Sequence, residues 1–291
     1  MSVVYTEMRA TPSLGGVVRC YWSIEGDVPP GRSVMNRVLP DGCMDVIFNL
    51  GDAPTGEIGA LPEPGYVVGT MPEAIVVGMT GRVEMMGVRF EPGAAGAYLG
   101  IAAPELTARS TGLSDVRRGA PELAERVAIA GDTAVPGFAS GGLAAGAARV
   151  ARARLRQRAG VLDEVITSTL RTEPDPLVAA AVRLIEASRG AIAVSEIERR
   201  LGVSPRTLTR RFTAAVGISP KMACRVARLQ YAASAIRGAP GESLARIAVR
   251  TGFSDQPHLN RDFAALARIS PARFAREAID ASMQDVSRTD A

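Results

Sequence analysis

Histidine occurs once in the 291 residues, at His258, and lysine once, at Lys221; cysteine occurs three times and tryptophan once. Each scarcity removes a class of chemistry. With its single histidine so far along, the first part of the chain has no histidine-ligated metal centre, no Ser-His-Asp triad and no Cys-His nucleophile pair. With Lys221 the one lysine, no glycine-rich phosphate loop of the kind that ends in Lys is present. Cys20, Cys43 and Cys224 lie far apart and follow no metal-ligand spacing; they suit a reducing compartment, where the usual fate of a lone cysteine is burial. Asp41, Asp45 and Glu84 are possible acid–base partners, but nothing in the sequence sets their geometry. No catalytic residue, metal or cofactor is therefore expected. Aromatic residues make up only 4% of the chain, against 47% hydrophobic overall. No apolar run is long enough to span a membrane, and Met1 to Ala10 carries Glu7 and Arg9 where a signal peptide would be apolar. A cytoplasmic protein is expected.

What the chain does have is a repeat. Val194-Ser195-Glu196-Ile197, Leu201-Gly202-Val203-Ser204, Leu208-Thr209-Arg210-Arg211-Phe212 and Gly217-Ile218-Ser219-Pro220 form one copy. Leu244-Ala245-Arg246-Ile247, Thr251-Gly252-Phe253-Ser254, Leu259-Asn260-Arg261-Asp262-Phe263 and Arg268-Ile269-Ser270-Pro271 form the other. The offset slips by one residue between Ser254 and Leu259. A repeat of roughly 50 residues is one supersecondary unit used twice. Ile197 and Leu201 share a helical face, Gly202 suits a left-handed helix end, Ser204 suits an N-cap with Pro205 at the first position, and Leu208 and Phe212 again share a face. The second copy predicts Ser254 as its cap, with Leu259 and Phe263 inward. Two short helices around a tight turn make a helix-turn-helix, whose second helix enters the DNA major groove.

The outward residues of the second helices are the candidate DNA contacts: Ser204, Arg206, Thr207, Thr209 and Arg210 in one unit, and Ser254, Gln256, His258, Asn260 and Arg261 in the other. Arg pairs with guanine, Asn and Gln with adenine, and Thr with either. An idle solvated helix would more often mix Glu and Lys. Charge supports the reading. Residues 177–276 hold 17 Lys and Arg against 6 Asp and Glu, whereas the remainder holds 17 against 24. A basic block on an otherwise acidic chain is the electrostatic footprint of nucleic-acid binding. Between the units, Lys221 to Arg237 reads as one helix of roughly 25 Å, near the spacing of about 34 Å between successive major grooves on one face of the duplex.

On these signatures, with Gly252-Phe253-Ser254-Asp255-Gln256 added, residues 177–279 resemble the DNA-binding domain of the AraC/XylS family of bacterial transcription regulators. The resemblance implies seven helices, two recognition helices in successive major grooves, and double-stranded promoter DNA as partner, with RNA polymerase as a further partner for an activator. Arg268 stands where the family usually has glycine, which predicts a looser helix end or a contact from Arg268 to phosphate.

The fold class expected is α+β: a small N-terminal β-barrel or sandwich with following helices, then an all-α double helix-turn-helix domain. Residues 1–100 read as short strands bounded by Gly and Pro, with a turn at Pro40-Asp41-Gly42. The stretches Leu39 to Leu50 and Gly87 to Gly93 look like a sensor domain often joined to this DNA-binding domain. Trp22, Phe48, Met85 and Arg89 are candidates for binding a small-molecule effector, Arg89 alternatively for an ion pair with Asp45 or Glu91. Residues 101–172 read as a helical segment and linker, with Ala134 to Ala148 a connector. Arg149, Arg152, Arg154, Arg156 and Arg158 read as a solvated face. Glu173-Pro174-Asp175-Pro176 marks the boundary to the DNA-binding domain at 177–279, whose units span 194–217 and 244–268, and 280–291 is a polar tail. Alternatives for the first domain are a redox switch through Cys20 and Cys43, or a role in homodimerisation alone.

Overall fold

A computed structural model describes residues 2–57, 65–132, 143–170 and 172–277. Antiparallel strands come first: β1 (Ser2–Met8), β2 (Val18–Val28), β3 (Val34–Val38), β4 (Met44–Asn49), β5 (Thr55–Gly56), β6 (Gly65–Val68), β7 (Ile75–Met79) and β8 (Gly81–Phe90). Short helices α1 (Ala95–Leu99) and α2 (Ala103–Leu106), strand β9 (Ser110–Gly112), and helices α3 (Leu113–Val116), α4 (Ala120–Asp132) and α5 (Leu143–Thr169) follow. The strands form two sheets, one in the order β1-β2-β8-β4-β6-β9 and one in the order β3-β7-β5. They make an open sandwich and not a closed barrel.

Alternation along the strands gives the large sheet two different faces. Tyr21, Val46, Phe48, Met86, Val88 and Phe90 point to the helical side, where Leu123, Leu155, Leu162 and Ile166 complete the core. Trp22, Ile47, Tyr66, Val68 and Met85 point the other way, toward the small sheet's Val34 and Met79. Trp22 lies opposite Gly87 on β8. A Cβ there would fall 2.3 Å from the indole, so glycine makes room for the ring.

The middle of the chain differs from its sequence reading in three ways. Nothing in the sequence pattern predicts β9, which closes the sheet edge beside β6. Of the expected connector, 134–142 lies outside the described residues, but α5 already starts at Leu143. The arginine run on α5 is not a uniformly solvated face. Arg158 is 1% exposed and meets Glu84 at 2.5 Å, and Arg154 meets Glu25 at 3.2 Å. The helix lies across the sheet, so its inward side carries both the apolar stripe and these guanidiniums.

The C-terminal part is helical: α6 (Pro176–Ala187), α7 (Val194–Leu201), α8 (Pro205–Val216), α9 (Pro220–Gly238), α10 (Leu244–Arg250) and α11 (Gln256–Ala267). A seventh helical stretch begins at 271 and is described to 277. Asp175, just inside the boundary Pro-Asp-Pro, N-caps α6 and also takes the Arg211 guanidinium. Helix α9 serves both units, giving Cys224 and Val226 to the first core and Leu229 and Ile236 to the second.

Candidate nucleic-acid interface

In the first unit the turn and cap form as the residue types demand. Gly202 is left-handed at φ 63°, and Ser204 Oγ accepts from the Thr207 amide at 3.2 Å. Leu208 and Phe212 are buried beneath α8. Arg206, Thr209 and Arg210 are exposed. Among the described residues neither Arg206 nor Arg210 has a carboxylate within ion-pair distance, so both guanidiniums are free for an external anion or base edge. Thr207 is half-buried, with its hydroxyl 2.9 Å from that of Ser204.

The second unit keeps the plan with one change. The N-cap of α11 is Asp255, whose carboxylate accepts from the His258 amide at 2.7 Å, and not Ser254. This accounts for the one-residue slip between the copies: Asp255 precedes Leu259 by the same four positions as Ser204 precedes Leu208. Ser254 is displaced outward and lies 3.1 Å from His258 Nδ1. His258 is held in place, edge-on to Phe253 at 5.2 Å between centroids. Asn260 and Arg261 are exposed and Gln256 is half-buried. Arg261, like Arg206 and Arg210, has no acidic partner among the described residues.

Arg268 does what the family's glycine does. Its φ is 59°, and its amide donates to the Ala264 carbonyl at 3.0 Å, so the end of α11 is properly closed. Its guanidinium pairs with Glu57 of the first domain at 2.6 Å, which gives it an internal partner in place of the phosphate expected from the sequence.

The first domain holds the far end of both second helices. At α8, Thr70 Oγ1 donates to the Val216 carbonyl at 2.6 Å and Thr107 Oγ1 to the Gly217 carbonyl at 3.2 Å. At α11, the Ala74 amide donates to the Leu266 carbonyl at 2.6 Å and Arg37 Nη1 to the Ala267 carbonyl at 3.3 Å. These are among the carbonyls a helix end leaves without intrahelical partners. On α9, Gln230 Nε2 donates to the Pro40 carbonyl at 2.7 Å. Nothing in the linear pattern announces these contacts, because they join residues more than 100 positions apart.

A cavity of about 500 Å³ opens between the two sheets and reaches α9. Of the candidate effector residues, Trp22, Met85 and Arg89 line it, together with Tyr66, Arg37 and Arg237, which the sequence did not single out. Phe48 does not; alternation places it in the core on the opposite face of the sheet. Arg89 forms a two-bond pair with Asp45 at 3.0 Å and lies 3.4 Å from Asp41, so the expected ion pair is with Asp45 and not Glu91, which binds Arg19. All three cysteines are buried. Burial pushes the Cys20 thiol up to about 12 and that of Cys43 well above its ordinary value, which leaves little thiolate for a redox role. Among the described residues no helix is long and apolar enough to cross a membrane.

Residues 197–277 match a helix-turn-helix domain family, and residues 6–111 match a domain of unknown function (DUF6597). No curated protein matches the chain. Among solved structures, the C-terminal domain of AraT, a response regulator from Geobacillus stearothermophilus, aligns at 25% identity over 35% of this chain and 86% of its own, with a TM-score of 0.34. ToxT from Vibrio cholerae aligns in its apo form at 10% identity over 92% of this chain and 98% of its own, with a TM-score of 0.44. The unsaturated fatty acid bound form of ToxT aligns at 10% identity over 88% and 94%, with a TM-score of 0.41. With the duplicated motif, the joining helix and the matched model in agreement, residues 197–277 are a helix-turn-helix domain of the AraC type.

Proposed function

We propose that the protein is a sequence-specific DNA-binding transcription regulator whose N-terminal domain responds to a small molecule. Helices α8 and α11 enter successive major grooves. Arg206, Thr209 and Arg210 read or position one half-site, and Gln256, Asn260 and Arg261 the other, with Ser204, Thr207, Ser254 and His258 bracing the helix starts and reaching the backbone. The observation that carries this reading is the pair of capped helices, each presenting exposed guanidiniums with no internal acid to neutralise them. Helix α9, at about 28 Å for 19 residues, sets the spacing. The inter-sheet cavity is the site assigned to the effector. It has the size of a small-molecule pocket, and its walls are mostly apolar with a few polar groups.

Footprinting on the DNA upstream of the protein's own gene tests the DNA reading. A protected stretch spanning two adjacent major grooves is expected. Arg210→Ala or Arg261→Ala should weaken specific binding by about 1–3 kcal/mol if that arginine contacts a base. Equal affinity for target and random DNA at moderate salt, in the parent and both variants, would refute specific recognition.

A further inference from the structure

We propose that Arg225 and Asp262 are positioning residues that hold His258 against a DNA phosphate, and that the second reading unit, unlike the first, takes up a proton when it binds. The inference rests on the DNA-binding reading above and adds which unit responds to pH and through which side chains. In each unit the residue just before the buried Phe ties the second helix to the helix that precedes the unit. In the first, Arg211 on α8 holds Asp175 at the start of α6 through two bonds, at 2.8 and 2.5 Å. In the second the signs are reversed: Asp262 on α11 takes Arg225 of α9, at 3.0 and 3.4 Å.

The reversal puts an acid on the reading helix, four residues after His258 and therefore on the same face. Its Oδ2 lies 3.9 Å from His258 Nε2. The equivalent place in the first unit, three residues past the cap, is held by Thr207, which does not titrate.

The imidazole is fixed on its other sides. The Ser254 amide donates to Nδ1 at 3.4 Å, so the neutral ring carries its proton on Nε2. Ser254 Oγ lies 3.1 Å from the same nitrogen and is placed to accept from it once it is protonated. Phe253 stands edge-on to the ring at 5.2 Å, and Arg228 of α9 lies 5.5 Å over Phe253 in turn. Asp255 is also close, its carboxylate taken by the His258 amide at 2.7 Å. The imidazole thus has partners in both protonation states, and its side chain stays 32% exposed on the helix that carries Asn260 and Arg261. A phosphate brought to this spot favours the imidazolium. Asp262 supports that charge, and the two bonds from Arg225 keep the carboxylate from swinging away. Binding therefore takes up a proton, and affinity rises as pH falls.

His258 is the one histidine of the chain, so its ring signals are unambiguous. In long-range proton–nitrogen spectra of the free, isotope-labelled chain near pH 8, Nε2 should appear protonated and Nδ1 not; the opposite tautomer overturns the proposal. By fluorescence anisotropy at low salt, affinity of the full chain for a mixed-sequence duplex should rise roughly three- to tenfold between about pH 8 and about pH 6. His258→Gln should flatten the profile, and Arg225→Gln should lose most of the gain. Arg210→Ala, in the first unit, should weaken binding and keep the slope. The double variant Arg225→Asp with Asp262→Arg rebuilds the tie with the first unit's polarity. It should melt like the parent yet lose the pH gain, which an ion pair serving stability alone would not do. If that variant does not fold, Asp262→Asn, which removes the charge at nearly the same shape, decides in its place. A flat profile in the parent, a slope that survives His258→Gln, or a folded double variant or Asp262→Asn that keeps the gain would each overturn the proposal. A chain that footprints a specific site with a flat profile loses this inference and keeps the regulator reading; one that binds mixed DNA with the pH gain and footprints nothing keeps the inference and loses that reading.

Discussion

At the end of each second helix stands one residue in the left-handed conformation, and the two differ. Gly217 adopts φ 89°, and a Cβ on it would lie 2.2 Å from Thr107 Oγ1. Gly217→Ala should therefore destabilise the protein by about 1–3 kcal/mol, read as a lower thermal midpoint. Arg268 adopts the same conformation at an expense of about 1 kcal/mol, offset in part by its contacts with Glu57 and Ala74. A second residue-level test concerns Arg158. Burial by itself would push the Glu84 carboxyl up, but the Arg158 and Arg82 guanidiniums outweigh it and hold its pKa below the usual range. Its contribution to stability is thus complete above the ordinary carboxylate pKa and disappears as pH falls through the lower folded value. Glu84→Gln, which leaves the Arg158 charge buried, should cost roughly 3 kcal/mol near neutrality. In urea titrations the gap between parent and variant should narrow in acid. Residue types alone named Arg206, Arg210 and Arg261 as outward, because helical spacing to a buried Leu and Phe determines that. They missed Arg37 and Arg237 and put Arg158 on a solvated face, because the environments of all three are made by other elements.

At the scale of elements, the two helix-turn-helix units test each other. If Asp255 caps α11, Asp255→Ala should cost about 0.5–2 kcal/mol, and Ser254→Ala distinctly less. Thermal melts of the two variants decide between them; the reverse order would restore Ser254 as the cap. The linking helix makes a sharper prediction. One alanine inserted after Ala233 turns everything beyond it by about 100° and advances it by about 1.5 Å. Specific affinity should collapse in footprinting, while circular dichroism still reports full helix content. The repeat and α9 were legible because caps, turn glycines and four-residue apolar spacings are local signals. Strand β9 was not, since three residues paired to a distant edge carry no periodicity of their own.

For the whole molecule, charge segregation predicts that specific affinity falls steeply with salt, as counterions displaced from phosphate return. A slope of log Kd against log salt close to zero in filter binding would contradict the proposed interface. The first domain adds a constraint that no domain-by-domain reading contains. Its hydroxyls, its amides and Arg37 grip both second helices at their far ends, so the relative placement of the two DNA-reading units depends on the β-sandwich as well as on α9.

Read without coordinates, the chain determines a duplicated helix-turn-helix with a basic surface and a β-rich first domain, because periodicity, capping residues and charge are written into neighbouring positions. Which face of the large sheet opens on the cavity, which arginines are left without an acid, and which carbonyls of α8 and α11 the first domain grips were decided only by tertiary structure. Those relations join residues far apart in the chain, and only the closing of the fold brings them within bonding distance.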